Sequence, residues 1–200
     1  MKYPGSLHNH THYSNLRLRD AIIKENELID RAIELGHSVV AVTDHESVSG
    51  ALKVEKYYNK IKKDHPDLKV IRGNEIYLVR NGLNADNFDK DKDRYWHFIL
   101  LAKDLEGMKQ IFEISTRAWK RSYMARGMRR VPTYYQDLED IIGANPGHVI
   151  GRTMQCTTRH PQSISCCICC PERIHLRRWR MLRNSFAASN RFSRLTSRGT

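Results

Sequence analysis

Patterns typical of strands and of helices alternate along the first 150 residues, and this alternation restricts the fold more than any other feature of the sequence. Residues 38–43 form an almost continuous β-branched run, as in a parallel strand whose two faces are both covered. Residues 25–35 carry apolar side chains at helical spacing and are followed by Gly36, a frequent residue at helix C-termini. The sequence therefore predicts an α/β protein.

The same patterns place the remaining elements. The further predicted strands are 6–10, 69–72, 75–79, 95–102 and one that starts at 148–150. The further predicted helices are 48–63, 104–123 and 135–142. The polar segment 80–94 is expected to be a solvated loop.

Composition changes abruptly near residue 151. Residues 1–150 hold 24 Lys and Arg against 21 Asp and Glu, a net charge of +3, whereas residues 151–200 hold 10 Arg against one acid, a net charge of +9. All five cysteines lie in that last segment. We therefore expect two unlike parts, a folded domain over 1–153 and an Arg-, Ser- and Cys-rich tail over 154–200.

Membrane and secretory classes are not expected. No stretch approaches the roughly 18 apolar residues that a membrane helix needs. The first residues lack the apolar core of a secretory signal. The expected location is the cytoplasm, with no membrane partner.

Residues that can bind metal ions fall at or near the ends of four successive predicted strands. They are His8 and His10 at the first strand, Asp44 and His45 at the second, Glu75 after the third and His97 in the fourth. The carboxyl ends of parallel strands meet at one edge of a sheet or barrel, so these side chains are expected to converge. Imidazole and carboxylate ligands suit Zn²⁺, Mn²⁺ or Fe, and several ions together suit the hydrolysis of phosphate esters.

Each of these residues also has a simpler explanation when it is taken alone. His45 fits an exposed strand end, Glu75 a solvated carboxylate and His97 a histidine satisfied within the core. Such coincidences at four successive strands are less expected than one metal site. His12 is close enough to His10 to support the site without binding an ion.

Five segments resemble, in order, the motifs of the polymerase and histidinol phosphatase (PHP) superfamily. They are Leu-His-Asn-His-Thr-His-Tyr-Ser at 7–14, Val-Thr-Asp-His at 42–45, Gly-Asn-Glu at 73–75, Trp-His at 96–97 and the helix-bearing segment 100–112. The last segment resembles in particular the N-terminal PHP domain of the bacterial DNA polymerase III alpha subunit. The resemblance covers about residues 3–153.

The resemblance implies part of a distorted (β/α)7 barrel with up to three ions, Zn²⁺ or Mn²⁺, at the carboxyl ends of its strands. The residues that it assigns to these ions are His8, His10, Asp20, His45, His97 and, as a bridging carboxylate, Glu75. Asp44 is expected to orient a ligand rather than to bind an ion.

The chain departs from the family pattern in several places. Glu46 follows the Asp-His pair where the family commonly has glycine, and a later Cys or His ligand and the C-terminal Asp-x-His pair are not found. A closed barrel also needs roughly another hundred residues. The site in this chain is therefore expected to be incomplete.

The resemblance implies a metal-dependent phosphoesterase that acts through metal-bound water, as part of a replicative DNA polymerase. The expected reaction is hydrolysis at the 3′ end of DNA, as in proofreading, or hydrolysis of pyrophosphate. The expected partners are DNA, the rest of the polymerase and other replisome subunits. The alternatives are a free-standing phosphatase of histidinol-phosphatase type and a catalytically inert brace of the polymerase.

The tail over 154–200 allows three interpretations. The two overlapping Cys-x-x-Cys pairs within 166–170 could form a zinc knuckle, and the ten arginines of the last fifty residues could bind nucleic acid non-specifically. Alternatively, the tail is poorly structured sequence read out of frame. Read one base forward, the codons of residues 154–159 permit a small apolar stretch that ends in glycine. The resemblance to the family implies a stretch of this kind at this point of the chain. We therefore favour the interpretation that the tail is read out of frame.

Overall fold

A computed structural model describes residues 4–16, 19, 21–89, 91, 93–125 and 127–153. These residues form a six-stranded mixed sheet, a separate two-stranded hairpin, four α-helices and a short 3₁₀ helix at His12–Leu16. The strands are β1 (Gly5–Ser6), β2 (Val39–Val42), β3 (Lys69–Val79), β4 (Trp96–Ala102), β5 (Tyr123–Ala125), β6 (Met128–Arg130), β7 (Pro132–Tyr134) and β8 (Val149–Thr153). The helices are α1 (Glu25–Glu34), α2 (Ala51–Ile61), α3 (Leu105–Lys120) and α4 (Tyr135–Ile141).

The long strand β3 lies at the centre of the six-stranded sheet. The strand order is β1-β2-β3-β4-β8, and β7 also pairs with β3. Strands β1, β2 and β3 are parallel, whereas β4 is antiparallel to both β3 and β8. Strand β3 extends beyond the end of β2, and its last three residues pair in parallel with β7. The hairpin β5–β6 forms its own two-stranded sheet.

The core follows the alternation of side chains along β2. Val40 and Val42 face α1 and α2, where they join a cluster completed by Ile29, Ala32, Val54 and Leu68. Ala41 points to the opposite face and packs with Ile99 and Leu101. Burial on both faces explains why this strand is apolar throughout.

Helix α3 begins where its sequence favours a boundary and buries one apolar face. The Asp104 carboxylate accepts a hydrogen bond of 2.9 Å from the backbone N–H of Gly107, which satisfies a donor of the first turn. Met108, Ile111 and Ile114 are fully buried along one face. None of the helices in the described residues is long and apolar enough to cross a membrane.

The α/β class is confirmed, but the sheet differs from the predicted one. The first strand ends at Ser6 rather than at residue 10, because the Asn9 side chain donates hydrogen bonds to the carbonyls of Ser6 and Ala41 and takes the chain out of the strand. Residues 69–79 form one strand instead of two. The hairpin β5–β6 and strand β7 were not predicted.

Strand β4 returns antiparallel to β3, a direction that the sequence did not predict. A parallel return requires a crossover, usually through a covering helix. The connection 80–95 is polar and forms only turns and loops in its described residues. It therefore cannot cover the sheet as a helix, and the chain comes straight back.

Candidate metal centre

Glu75 lies between two pairs of histidines and offers one carboxylate oxygen to each pair. Oε2 lies 3.0 Å from Nε2 of His8 and 2.6 Å from Nε2 of His10, and these two nitrogens are 3.0 Å apart. Oε1 lies 2.5 Å from Nδ1 of His97 and 4.0 Å from Nε2 of His45. Each set of three ligand atoms lies within 4.8 Å, a spacing that could hold a metal ion.

The loop that carries His8 and His10 is attached to the end of β2 through Asn9, the residue between them. Asn9 donates from its amide to the carbonyl of Ala41 at 2.8 Å, and its backbone exchanges hydrogen bonds with Thr43. Asn9 is thereby held against β2. The two neighbouring imidazoles reach Glu75 on β3.

Asp44 braces the next part of the same loop. Its carboxylate accepts hydrogen bonds from the backbone N–H of Thr11 at 2.6 Å and from the hydroxyls of Thr11 and Ser14. Burial raises the pKa of the Asp44 carboxyl above its usual value, while these hydrogen bonds and the nearby His10 oppose the rise. Asp44 thus connects the end of β2 to the loop beyond His10.

The position of Glu75 follows from the pairing of β3 on both of its edges. On one side, His45 forms an isolated parallel bridge with Glu75 just beyond the end of β2. On the other side, β4 starts at Trp96, and His97 is paired with Tyr77, two residues beyond Glu75 and on the same face. Histidines from both edges therefore reach one carboxylate.

Electrostatics favour the ionised form of Glu75. Burial alone would raise the pKa of its carboxyl. Hydrogen bonds with His10, His8 and His97, together with the nearby His45, outweigh burial and hold the pKa well below its usual value. Glu75 therefore carries a negative charge at neutral pH, as a carboxylate ligand must.

The donor set fits divalent metal ions. Bonds of about 2.0–2.1 Å place the ligands of one ion roughly 3 Å apart, close to the spacings among His8, His10 and Glu75. The His45 side chain is 1% exposed, and neither of its ring nitrogens has a hydrogen-bond partner among the described residues. Buried polar atoms are nearly always paired. A cation beside Glu75 and His97 would satisfy Nε2 of His45.

One side of the centre is open to solvent. The side chains of His97 and His8 are 43% and 29% exposed, whereas those of His45 and Glu75 are almost fully buried. Tyr77 packs against His45 and His97, with ring centroids 4.7 Å apart in both cases. A ligand can therefore approach from the side of His97 and His8.

The predicted site residues fall into three groups. The structure brings together His8, His10, His45, Glu75 and His97. Asp44 belongs to neither three-residue group among the described residues, and His12 lies 3.9 Å from Glu25 instead. Asp20 lies outside the described residues, so its metal-binding role remains a prediction, as do the proposals for the tail over 154–200.

The geometric basis of the predicted convergence needs two corrections. Glu75 does not follow a strand but lies in the middle of β3, because Gly73 does not interrupt the strand. His97 is not at a carboxyl end, since it is the second residue of the antiparallel strand β4. The first residues of an antiparallel strand lie at the same end of the sheet as the carboxyl ends of the parallel strands beside it.

Sequence reasoning missed three residues that shape the centre. Tyr77 could have been found, because it lies two residues beyond Glu75 on the same strand face. Asn9 lies between the paired histidines, but its contacts with β2 leave no sequence signal. Glu46 was noted only as a departure from the family pattern, although it is 2% exposed and lies beside His45.

The chain is similar to DNA polymerases. It is 37% identical over 150 residues to "Probable DNA polymerase YorL" of Bacillus subtilis (strain 168) and, equally, to a DNA-directed DNA polymerase of Bacillus phage SPbeta, covering 73% of this chain and 12% of each relative. It is 30% identical over 161 residues to DNA polymerase III subunit alpha of Aquifex aeolicus (strain VF5), covering 68% of this chain and 13% of that one. The chain thus spans about an eighth of the length of these relatives.

A protein-family model matches most of the chain. The model described as PHP domain matches residues 6–165. This range includes the β1–β2 region, β3 and β4, which carry all five clustered side chains. The chain therefore belongs to the PHP domain family.

Proposed function

We propose that this chain is a metal-dependent phosphoester hydrolase domain of a replicative DNA polymerase. The observation that carries the proposal is the shared carboxylate of Glu75, with a histidine pair on each of its two oxygens. A carboxylate between two sets of imidazoles suits a pair of divalent ions. Such ions supply Lewis acidity and an activated water for attack on a phosphoester.

Each clustered side chain has a defined part in this proposal. His8, His10 and Oε2 of Glu75 would hold one Zn²⁺ or Mn²⁺ ion, and His45, His97 and Oε1 of Glu75 would hold a second. Asp20 would add a further ligand. Asp44 keeps the loop after His10 in place through Thr11 and Ser14, which fixes the geometry that metal binding needs.

Basic and aromatic side chains near the centre support a nucleic-acid substrate. Residues 114–132 contain six Lys and Arg and no acid. The Arg130 guanidinium lies over the ring of Tyr95, 5.2 Å from its centroid, and Tyr95 packs against Tyr77 beside His97. Arginine and aromatic rings bind the phosphates and bases of single strands. The 3′ end of DNA is therefore the proposed substrate, and pyrophosphate is the alternative.

The proposal extends to the whole protein and its setting. The relatives are named as DNA polymerases, which favours a polymerase domain over a free-standing phosphatase of histidinol-phosphatase type. DNA, the remainder of the polymerase and replisome subunits are the proposed partners, in the cytoplasm. We further infer that the mixed sheet is part of an incomplete (β/α)7 barrel over 1–153, followed by a tail that is read out of frame.

An inert brace is the second candidate function. The observation that favours it is the set of direct contacts of Glu75 with His8, His10 and His97, which can hold this part of the fold together without an ion. A brace needs the fold but no metal, whereas the hydrolase needs both. Metal content therefore separates the two.

The test is metal binding by the full chain, measured by calorimetry and by elemental analysis after dialysis. We expect two Zn²⁺ or Mn²⁺ ions per chain, and the loss of one ion in each of the variants His10→Ala and His97→Ala. His65→Ala is the matched control, because His65 lies in the turn after α2 and belongs to neither group. A wild-type chain that binds no ion would exclude the hydrolase and leave the brace.

Hydrolysis is a separate measurement on the same proteins. We expect weak release of the 3′ nucleotide from single-stranded DNA by this chain, because its site is incomplete. Restoring the proposed reading frame and completing the barrel should increase the rate. Equal rates for the chain and the completed domain would contradict the proposal that the site is incomplete.

A further inference from the structure

A cleft lies beside the candidate metal centre, between the loop that follows β2 and the C-terminal half of α3. Its volume is about 670 Å³, within the range of roughly 300–1,000 Å³ that is usual for small-molecule sites. One wall is formed by residues 47–49, and the other by the last turns of α3, including Ser115, Trp119 and Lys120. We call it the α3 cleft.

The α3 cleft shares a loop with the candidate metal centre. Ser47 follows His45 by two residues, so the Cα atoms of these residues lie at most ~7.6 Å apart. The carbonyl of Glu46, the residue between them, accepts a hydrogen bond of 2.7 Å from the indole N–H of Trp119. This bond attaches the loop to α3. The cleft is therefore adjacent to the metal centre.

Trp119 and Lys120 give the cleft an aromatic ring and a positive charge. The indole is partly exposed, and its hydrogen bond to Glu46 fixes its orientation. Lys120 is exposed and forms no salt bridge among the described residues, whereas Arg117 and Arg121 beside it are paired with carboxylates. None of the described residues that line the cleft is acidic. The charge of Lys120 is therefore available to an anion.

Two serine hydroxyls in the cleft have protons to donate. Ser47 and Ser115 are 3% and 5% exposed, and polar groups at such depth usually have a partner. The Ser47 hydroxyl accepts a hydrogen bond of 3.3 Å from the N–H of Ser49, and neither serine hydroxyl has an acceptor for its proton among the described residues. Oxygen atoms of a phosphate can accept these protons.

These groups together favour an unpaired nucleotide over other anions. Bases of single strands stack on aromatic rings, and phosphates bind cationic and hydroxyl side chains. Pyrophosphate could use Lys120 and the hydroxyls but not the indole of Trp119. A base inside a duplex is stacked on its neighbours and does not reach such a ring unless it leaves the stack. Trp119 and Lys120 also belong to the segment 114–132, which has six Lys and Arg and no acid.

We propose that the α3 cleft holds one unpaired nucleotide of single-stranded DNA, with its base against Trp119 and its phosphate at Lys120 and the serine hydroxyls. This inference rests on the proposed function, which it deepens by adding a contact with the strand beside the metal centre. The cleft then selects a DNA strand with an unpaired end over pyrophosphate.

The first experiment locates the strand on the metal-free full chain. A ten-nucleotide oligothymidylate with 4-thiothymidine at one of its last three positions crosslinks under near-ultraviolet light to the residue that this base contacts, and mass spectrometry of the peptides identifies that residue. EDTA removes metal, so the result does not depend on hydrolysis. We expect a crosslink to Trp119 or to a neighbouring residue of the cleft. Crosslinks confined to other segments of the chain, or none at all, would overturn the proposal.

The second experiment separates stacking from support of the loop. Fluorescence anisotropy measures the affinity for the same oligonucleotide without the thio group, labelled at its 5′ end. Trp119→Leu removes the ring and should weaken binding roughly 5- to 150-fold, as expected for one stacked base. Trp119→Phe loses the hydrogen bond to Glu46 but keeps a ring, so its loss should be much smaller.

Lysine variants test the charge of the cleft in the same assay. Lys120→Ala should reduce the slope of log binding constant against log salt concentration by about 0.7. Lys109→Ala is the matched control, because Lys109 is an exposed lysine near the start of the same helix and does not line the cleft. Lys109→Ala should leave the affinity and the slope unchanged.

Three results contradict the proposal. Equal losses in Trp119→Leu and Trp119→Phe would assign the effect to the loop, and a Trp119→Leu chain that binds as tightly as Lys109→Ala would show that no base stacks there. A slope that is the same in Lys120→Ala and Lys109→Ala would exclude the phosphate contact. Calorimetry with Zn²⁺ tests the metal centre separately. If the wild type binds no Zn²⁺ but crosslinks in the cleft, the metal centre fails and the nucleotide site remains; if it binds Zn²⁺ and crosslinks elsewhere, only the nucleotide site fails.

Discussion

Replacement of Glu75 by Gln removes the charge at the centre of the histidine cluster while keeping its volume. The Glu75 carboxylate makes contacts of 3.0, 2.6 and 2.5 Å with His8, His10 and His97, and its side chain is 2% exposed. A glutamine keeps one accepting oxygen, so the histidines on the other side face an amide that can only donate.

The expected cost follows from these contacts. A hydrogen bond to a charged group contributes about 1.5–3 kcal/mol. Loss of one or two such bonds should lower the free energy of unfolding of the metal-free chain by about 2–5 kcal/mol. That is a large share of the roughly 5–15 kcal/mol that holds a domain folded. Urea unfolding followed by circular dichroism measures it.

Metal should enlarge the difference between the two proteins. An ion present at about 100 times its Kd stabilises the form that binds it by ~2.7 kcal/mol. The wild type should gain this amount for each Zn²⁺ bound, and Glu75→Gln should gain little, because it lacks the charged ligand common to both ions.

The control is Glu113→Gln on α3, where the carboxylate is 54% exposed and pairs with Arg117. A surface pair of this kind contributes at most about 0.5 kcal/mol. The reasoning would be refuted if Glu75→Gln cost no more than this control, or if Zn²⁺ stabilised Glu75→Gln as much as it stabilises the wild type.

Three further predictions concern stability in acid, DNA binding by the hairpin and the bracing of the loop after His10 by Asp44. The pKa of Glu75 in the folded state is lowered from its ordinary value of 4.5, so its contribution to the free energy of unfolding is complete above pH 4.5 and is lost as the pH falls through the folded-state pKa. The difference in urea midpoint between the wild type and Glu75→Gln should therefore become smaller in acid. A difference that stays constant would contradict this. Joint replacement of Arg129 and Arg130 by Ala should reduce the slope of log binding constant against log salt concentration for single-stranded DNA by about 1.4, measured by fluorescence anisotropy. Arg31→Ala on α1 is the control and should leave the slope unchanged. An unchanged slope in the double variant would exclude the hairpin as a DNA contact. Asp44→Ala should lower the free energy of unfolding by roughly 2–4 kcal/mol, since it leaves several buried donors unpaired, and a loss below 1 kcal/mol would show that the loop does not depend on it.

The helices were predictable because their apolar spacing and boundaries are local. Gly36 follows α1 with a φ of +69°, and Asp104 caps α3, as their residue types suggest. The direction of β4 was missed, although the predicted polar loop over 80–94 already left no helix for a parallel crossover. Hairpin β5–β6 was hidden inside a basic stretch without apolar alternation.

The set of clustered histidines was predictable even though part of the geometry was not. His8 and His10 were assigned to a strand, yet they converge from a loop, because Asn9 holds that loop against β2. The five side chains converge despite this error, because convergence depends only on the end of the sheet at which each residue lies. The left-handed backbone of Glu46, with a φ of +52°, is consistent with the glycine that the family commonly has at this position, but the glutamate alone does not indicate it.

The central position of β3 explains how histidines from both of its sides reach one carboxylate. A strand at the edge of a sheet has one neighbour, whereas Glu75 lies between the bridge to His45 on one side and β4, with His97, on the other. All five clustered side chains lie within residues 8–97, on segments that pair with one another. Their arrangement is therefore set by the first half of the chain, so metal binding and barrel closure can be lost separately. A chain with this half intact should bind ions even where the rest of the barrel is missing.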